Sequence, residues 1–215
     1  MQKIVVIDAN GLVHRAYHAL PPLNTSSGEQ TNATFGFASM LLKVLGEEKP
    51  AYVAVTFDKG KTFRHAEFPD YKAQRPKMAE DLRPQFARVR QIVEAFGFPI
   101  FEMEGYEADD LIGTLASQAA RNGLDVQIVT GDTDTLQLVG KSVRVIVTRR
   151  GITDTVTYDE GSVRERYGLE PAQLADLGWT RVAQPAIDQR QETQAQRPTQ
   201  QRCNDHRAQR QPQRI

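Results

Sequence analysis

Three separate apolar runs in this sequence each end at or next to an aspartate. The runs lead to Asp8, to Asp58 and to the segment 130–134, which carries Asp132 and Asp134. In an open α/β sheet, ligands bind beyond the carboxyl ends of parallel strands, so acidic residues placed there by different strands converge on one crevice. The pattern therefore predicts a sheet with an acidic edge.

The spacing of apolar residues indicates how that sheet is covered. Residues 4–7 are branched aliphatic without interruption, which is typical of a strand buried on both faces of a parallel sheet. Strand-like and helical patterns then alternate, so we predict an α/β fold with helices over a mostly parallel sheet. The predicted strands are 4–7, 51–58, 98–103, 126–130, 143–147 and 155–157, and the predicted helices are 35–46, 81–96, 107–121 and 160–167. Phe35 and Phe96 belong to the apolar stripes of the first two helices.

Charge and composition divide the chain into two parts. Residues 178–215 contain ten Gln and seven Arg but no Lys and three acidic residues, a net charge of about +4, which leaves about −4 for residues 1–177. Because the second part holds few large apolar residues, it cannot bury enough surface to offset the entropy of ordering. We predict a folded domain over 1–177 and a disordered Gln/Arg-rich tail over 178–215.

The sequence also limits the compartment. The single cysteine, Cys203, excludes a disulfide framework, and no apolar stretch approaches the roughly 18 residues that a membrane span needs. We expect a cytoplasmic protein that does not bind membranes.

A fourth acidic group, at 107–110, begins a predicted helix. Each group alone has an ordinary explanation, since acids commonly end strands and the helix dipole favours them in a first turn. Together they favour a shared site, where close carboxylates would raise one another's pKa unless a cation neutralised them. Oxygen ligands suit Mg²⁺ or Mn²⁺, so we predict a metal-dependent phosphoryl-transfer site. Its candidate ligands are Asp8, Asp58, Glu107, Asp109, Asp110, Asp132 and Asp134.

Other chemistries lack their signals. The sequence contains no GxxxxGK[ST] loop, no GxGxxG and no GxSxG, so we expect no small-molecule cofactor. The histidines at 14, 18, 65 and 206 do not have the spacing of zinc ligands.

An insertion over 59–80 mixes Lys and Arg with aromatic residues. Cations neutralise backbone phosphates and aromatic rings stack unpaired bases, although an ordinary solvated loop can have the same composition. The candidate nucleic-acid contacts in the insertion are Arg64, Tyr71, Lys72, Arg75 and Lys77, and Arg15, one helical turn beyond Asp8, is a further candidate.

Five segments, in order and spacing, resemble motifs of the 5′-nuclease family, which comprises the amino-terminal domain of bacterial DNA polymerase I and the related flap endonucleases. The segments are residues 7–20, 57–65, 71–76, 104–110 and 130–139. The resemblance covers about residues 1–177.

The resemblance implies a Rossmann-like sheet of the resolvase/PIN type, a helical arch, and 5′→3′ exonuclease and flap-cleaving activity on DNA in replication and repair. It implies a monomer acting on DNA with 5′ ends or flaps. Lys72 and Arg75 would be catalytic residues of the arch. Two Mg²⁺ or Mn²⁺ ions would be held, the second by Asp132 and Asp134 and the first by Asp8, Asp58, Glu107, Asp109 and Asp110.

The sequence departs from the family pattern after residue 177. Family members continue into a glycine-rich segment with two more metal-binding aspartates and a helix-hairpin-helix region, where this chain has its Gln/Arg-rich segment. We interpret this as a frameshifted or truncated product, an interpretation that the genomic locus would contradict if no nearby frame restored the missing motif. We therefore expect an incomplete second metal site and impaired activity. An inactive remnant that binds DNA or metal, and a PIN-type ribonuclease, remain alternatives.

Overall fold

The strand Lys3–Asp8, β1, lies at the centre of the sheet because both of its faces are apolar. Side chains alternate along a strand, so Val5 and Ile7 point to one face and Val6 to the other, and all three are at most 1% exposed. The computed structural model describes residues 1–68, 70–74, 77–149, 151–152 and 154–175. The predicted central strand is confirmed.

Six strands form one sheet, in the order β3-β2-β1-β4-β5-β6. The other strands are β2 (Tyr52–Thr56), β3 (Ile100–Phe101), β4 (Asp125–Thr130), β5 (Val143–Thr148) and β6 (Thr155–Tyr158). All neighbours are parallel except β5 and β6, which are antiparallel. The register pairs Asp8 with Thr56 and Ile7 with Val129, so three strands end at the same edge.

Helices cover both faces, which confirms the predicted α/β fold. They are α1 (Ala9–Ala19), α2 (Asn32–Glu48), α3 (Phe63–Glu67), α4 (Leu82–Ala95), α5 (Ala108–Arg121) and α6 (Glu160–Tyr167). Short 3-10 helices occupy Thr133–Leu138 and Pro171–Gln173.

Each face has its own apolar core. Val5 and Ile7 pack with α1, α2 and α4, including the fully buried Phe37, whereas Val6 packs with α5, including the fully buried Ile112. Burial on both faces fixes β1 firmly, since a shift of one residue would exchange its two faces.

The predicted end of α2 was wrong, as was the predicted packing of Phe35 and Phe96. Phe35 is 56% exposed, and α2 continues past Gly46 to Glu48, where Lys49 in the left-handed region ends it. Phe96 lies just after the last residue of α4, where it is 45% exposed and stacks on Phe98. Both rings therefore lie outside the stripes that pack on the sheet.

Several predictions fall outside the described residues. They concern Arg75 and the tail 178–215, whose predicted disorder stays a prediction. The insertion 59–80 is described as α3 and a turn over 70–74, followed by residues 77–80. None of the helices in the described ranges combines the length and apolar character that crossing a membrane requires.

Candidate metal and nucleic-acid site

The strand ends and the start of α5 border one cleft, with a volume of about 600 Å³. Its lining includes the predicted ligands Asp8, Asp58, Glu107, Asp109 and Asp132. The prediction that acids distant in sequence meet at this edge is therefore met for five side chains. Asp110 and Asp134 lie outside the described lining of the cleft.

Asp8 sits at the junction of β1 and α1, where it is 4% exposed. Its carboxylate caps α1 by accepting the Gly11 N–H at 2.8 Å, and it accepts the Thr130 hydroxyl at 2.7 Å. Burial, with smaller contributions from the charges of Asp58 and Asp132, raises the pKa of Asp8 despite these two hydrogen bonds. The carboxylate is thus held rigidly but its charge is poorly compensated.

Two glycines permit this close packing. A Cβ at position 11 would overlap the carboxylate of Asp8, and a Cβ at position 131 would lie 3.0 Å from the carbonyl oxygen of Gly11. A side chain at position 11 would therefore displace the Asp8 carboxylate, and one at position 131 would require a small shift of the Gly11 backbone.

Asp58 is fixed by two neighbours. The Asn10 amide donates to its carboxylate at 3.0 Å while the Asn10 oxygen accepts the Asp58 backbone N–H at 3.1 Å. The N–H of Ala108, the first residue of α5, donates to the other carboxylate oxygen at 2.7 Å. The sequence did not identify Asn10 as a support of Asp58, because the two residues are 48 positions apart.

Thr130 joins two predicted ligands. Besides donating to Asp8, its fully buried hydroxyl accepts the backbone N–H of Asp132 at 3.0 Å. Asp132 in turn accepts the backbone N–H of Asp134 at 2.9 Å, and the Asp134 side chain is exposed. The role of Thr130 was also missed, although its place at the end of a strand before two acids was a usable signal.

Asp109, at the start of α5, also has a raised pKa. It is exposed at the cleft, yet desolvation there, followed by the charges of Asp8, Asp132, Asp58 and Glu107, raises the pKa of Asp109 to about 7. Carboxylates that are close enough to raise one another's pKa repel each other, and a bound divalent cation would neutralise this repulsion.

The α5 side of the cleft is neutralised by the insertion. Lys72 donates to Glu107 at 2.6 Å, and the Tyr71 hydroxyl donates to the same carboxylate at 3.0 Å. Arg64 binds Asp110 through two hydrogen bonds of 2.8 Å each, which hold the pKa of Asp110 below its usual value. Burial, followed by the hydrogen bond to Glu107, raises the pKa of Tyr71.

The backbone of Lys72 is strained. Its φ of 57° lies in the left-handed region, which costs a non-glycine residue about 1 kcal/mol. This conformation accompanies the turn over 70–74 that brings the ammonium group to Glu107.

Comparison with known proteins identifies the family of this chain. The N-terminal resolvase-like domain of 5′–3′ exonucleases matches residues 3–168. The chain belongs to this family. DNA polymerase I of Chloroflexus aurantiacus is 50% identical over 179 residues, and that of Bacillus subtilis is 44% identical over 177.

These matches cover 81% and 82% of this chain but 19% and 20% of the two polymerases. The chain therefore spans about 20% of the length of the curated relatives it matches. Among solved structures, the D15 protein of phage T5, co-crystallised with metal ions, is similar with a TM-score of 0.61 and 22% identity. That likeness covers 80% of this chain and 64% of D15, and it supports the resolvase-like fold.

Two further candidates for contact with DNA, Lys77 and Arg15, have different surroundings. Lys77 and Arg15 line the cleft. However, the Arg15 guanidinium donates to the carbonyl of Arg149, and its buried Nε has no hydrogen-bond partner among the described residues. Arg15 thus ties α1 to the end of β5, and its predicted phosphate contact stays a prediction.

The donor set fits a hard divalent cation in its chemistry. The side chains are carboxylates, and desolvation, followed by the charges of the neighbouring carboxylates, raises the pKa of Asp109. Within the described ranges, however, no three His, Cys, Asp or Glu side chains are arranged to hold one ion. The reason is visible in the contacts, since Glu107 and Asp110 face Lys72 and Arg64 and Asp58 faces N–H donors. Ligation would require some of these side chains to turn.

Proposed function

We propose that this chain is a metal-dependent 5′→3′ nuclease domain that cleaves phosphodiesters of DNA at 5′ ends or flaps. The observation that carries the proposal is the convergence of Asp8, Asp58, Glu107, Asp109 and Asp132 on one cleft. Membership of the 5′–3′ exonuclease family supports the same activity.

Mg²⁺ or Mn²⁺, when bound, would activate water for in-line attack and stabilise the leaving oxygen. Asp8 and Asp109 are proposed to hold the first ion with Asp58, Glu107 and Asp110, whereas Asp132 and Asp134 are proposed ligands for the second. Thr130 and Asn10 keep the strand-end carboxylates in place.

The cations of the insertion would position the DNA. Lys72 and Lys77 line the same cleft as the carboxylates, and Lys72 would exchange its pairing with Glu107 for a phosphate that enters this space. Arg64 and Tyr71 extend this surface beside Glu107 and Asp110. We assign Lys72 and Arg75 to phosphate charge compensation, and we place the protein in the cytoplasm as a monomer.

Cleavage of a 5′-labelled flap DNA tests the proposal. We expect Mg²⁺- or Mn²⁺-dependent products from the wild-type protein, and a loss of roughly 1,000-fold in Asp8→Asn, since metal stabilisation of the transition state supplies several kcal/mol. The matched control is Asp125→Asn, which changes an aspartate at the opposite end of β4.

The outcomes separate the alternatives. DNA binding by a folded wild-type protein without cleavage would favour the inactive remnant, and preferential cleavage of single-stranded RNA would favour a ribonuclease. Cleavage that Asp8→Asn leaves intact would place the chemistry elsewhere.

A further inference from the structure

The cleft extends beyond the carboxylates to a second wall formed by residues 77–82. Lys77, Met78, Ala79 and Leu82 line this part of the cleft, facing His14, Tyr17 and His18 on α1. The wall ends at Leu82, the first residue of α4, so the start of α4 determines where the wall stands relative to α1.

The carboxylate of Asp81 accepts a different hydrogen bond from the one expected at a helix N-cap. Asp81 occupies the N-cap of α4, where an aspartate normally accepts a backbone N–H of the first turn, yet within the described residues its side chain makes no such bond. Its carboxylate instead accepts the Tyr17 hydroxyl, with distances of 2.9 and 3.1 Å to the two oxygens. This hydrogen bond and the nearby charge raise the pKa of Tyr17, so the phenol stays a donor.

A buried amide makes the junction rigid. Gln85, one turn into α4 and 1% exposed, accepts the N–H groups of Ala33 and Thr34 at the start of α2. Its amide donates to Asn32 at 3.1 Å and to the carbonyl of Asp81 at 3.3 Å. Asn32 in turn donates to the carbonyl of Tyr17 at 3.1 Å. Since every group of the Gln85 amide has a partner, the network fixes one arrangement of α1, α2 and α4.

We propose that Tyr17 is a positioning residue that holds the 77–82 wall against α1 through Asp81, and so sets the space in which the DNA strand lies beside the carboxylates. The inference rests on the proposed nuclease function for its substrate. It assigns no contact with the reacting atoms to Tyr17. Loss of the hydroxyl would release the wall and leave the charge of Asp81 without this donor beside the path of a polyanion.

Tyr17→Phe removes only the hydroxyl. We expect faster hydrogen–deuterium exchange over residues 77–86 with no change in α5, and roughly tenfold weaker binding of 5′-flap DNA in Ca²⁺. KM for cleavage should rise by a similar factor while kcat and Mn²⁺ affinity stay within about twofold. Tyr52→Phe is the matched control, because the Tyr52 phenol donates to Gln2 at the amino end of β2.

A double-mutant cycle with Asp81→Asn isolates the contact. If Tyr17 acts through Asp81, the double variant should bind DNA no more weakly than Tyr17→Phe alone. Fully additive losses would overturn the proposed route, as would unchanged exchange over 77–86 in Tyr17→Phe.

A purely structural role gives a different result. It would lower the thermal midpoint of Tyr17→Phe and leave the DNA dissociation constant and KM unchanged, which would also overturn the inference. If the wild-type protein binds no flap DNA, the proposed function fails, and the exchange data alone then decide whether Tyr17 positions the wall.

Discussion

The two sides of the cleft compensate their carboxylates by different means. On the strand side, Asp8 and Asp58 accept hydrogen bonds from neutral groups, namely backbone N–H groups, the Thr130 hydroxyl and the Asn10 amide. On the α5 side, Glu107 and Asp110 pair with Lys72 and Arg64. Neutral donors orient a carboxylate without cancelling its charge, whereas cations do both.

The pKa shifts follow this difference. The pKa of Asp8 is raised, chiefly by burial, and that of Asp110 is lowered, chiefly by its hydrogen bonds with Arg64. The anionic form of Asp8 is therefore costly without a counter-charge, which a divalent cation bound at the strand side would supply. On the α5 side, the carboxylates pair with Lys72 and Arg64, which we expect to contact phosphates.

Among the changes that test this comparison, the largest expected effect separates Lys72 from Arg64. Because Lys72 lines the cleft, we expect Lys72→Gln to lower kcat for flap cleavage roughly 100-fold, the size seen when a charge-stabilising donor is removed. Arg64→Gln should reduce cleavage less, and should destabilise the fold by about 1 kcal/mol because Asp110 loses its partner. Arg88→Gln, which breaks an exposed pair with Glu29, is the control. Equal losses in the two site variants would remove the distinction between these cations.

A smaller effect concerns the neutral donors. Thr130→Val removes the hydroxyl from the buried Asp8 oxygen, so we expect the free energy of unfolding to fall by about 2 kcal/mol in urea denaturation. Thr148→Val is an apt comparison, since the Thr148 hydroxyl is buried without a hydrogen-bond partner among the described residues. That variant should be neutral or stabilising. A Thr130→Val protein as stable as Thr148→Val would show that Asp8 does not depend on this donor.

The smallest effect concerns Asp109 and pH. An unfolded Asp ionises near its ordinary pKa of 3.8 and the folded one near 7, so the folded state binds more protons between these values. Stability contributed by this group is therefore full at low pH and is lost as pH rises toward 7. In chelator, Asp109→Asn should be more stable than wild type at pH 8, by at most about 1 kcal/mol because Asp109 is exposed and solvent screens it.

Thermal denaturation at pH 4 and pH 8 measures this difference, with Asp154→Asn, exposed between β5 and β6, as the control. The stabilities of wild type and Asp109→Asn should be similar near pH 4. A stabilisation that is the same at both pH values would have a cause other than the charge of Asp109.

Much of the fold was accessible from apolar periodicity. The bounds of α6 were predicted as 160–167 and observed as Glu160–Tyr167, and β1 was confirmed as a central strand because its apolar residues leave no polar face. The errors at Phe35 and Phe96 arose where a ring continued the helical spacing but faced solvent or lay past the helix end.

The site was predictable only in part. Acids at strand ends reveal themselves because a parallel sheet brings such ends together, and Asp8, Asp58 and Asp132 do share the cleft. The residues that hold these acids in place could not be predicted in the same way. Asn10 and Thr130 bind partners 48 and 122 residues away, and polar residues at those positions have many ordinary explanations. The pairing of Lys72 with Glu107 accompanies a left-handed backbone conformation at Lys72, which the sequence does not predict.

Binding of Mn²⁺, followed by electron paramagnetic resonance during titration, tests the central claim that the strand-end carboxylates form a cation site. We predict saturable binding to the wild-type protein, weakened at least roughly tenfold in Asp8→Asn and unchanged in Asp125→Asn. Absence of saturable binding by the folded protein, or equal affinity in Asp8→Asn and wild type, would contradict it.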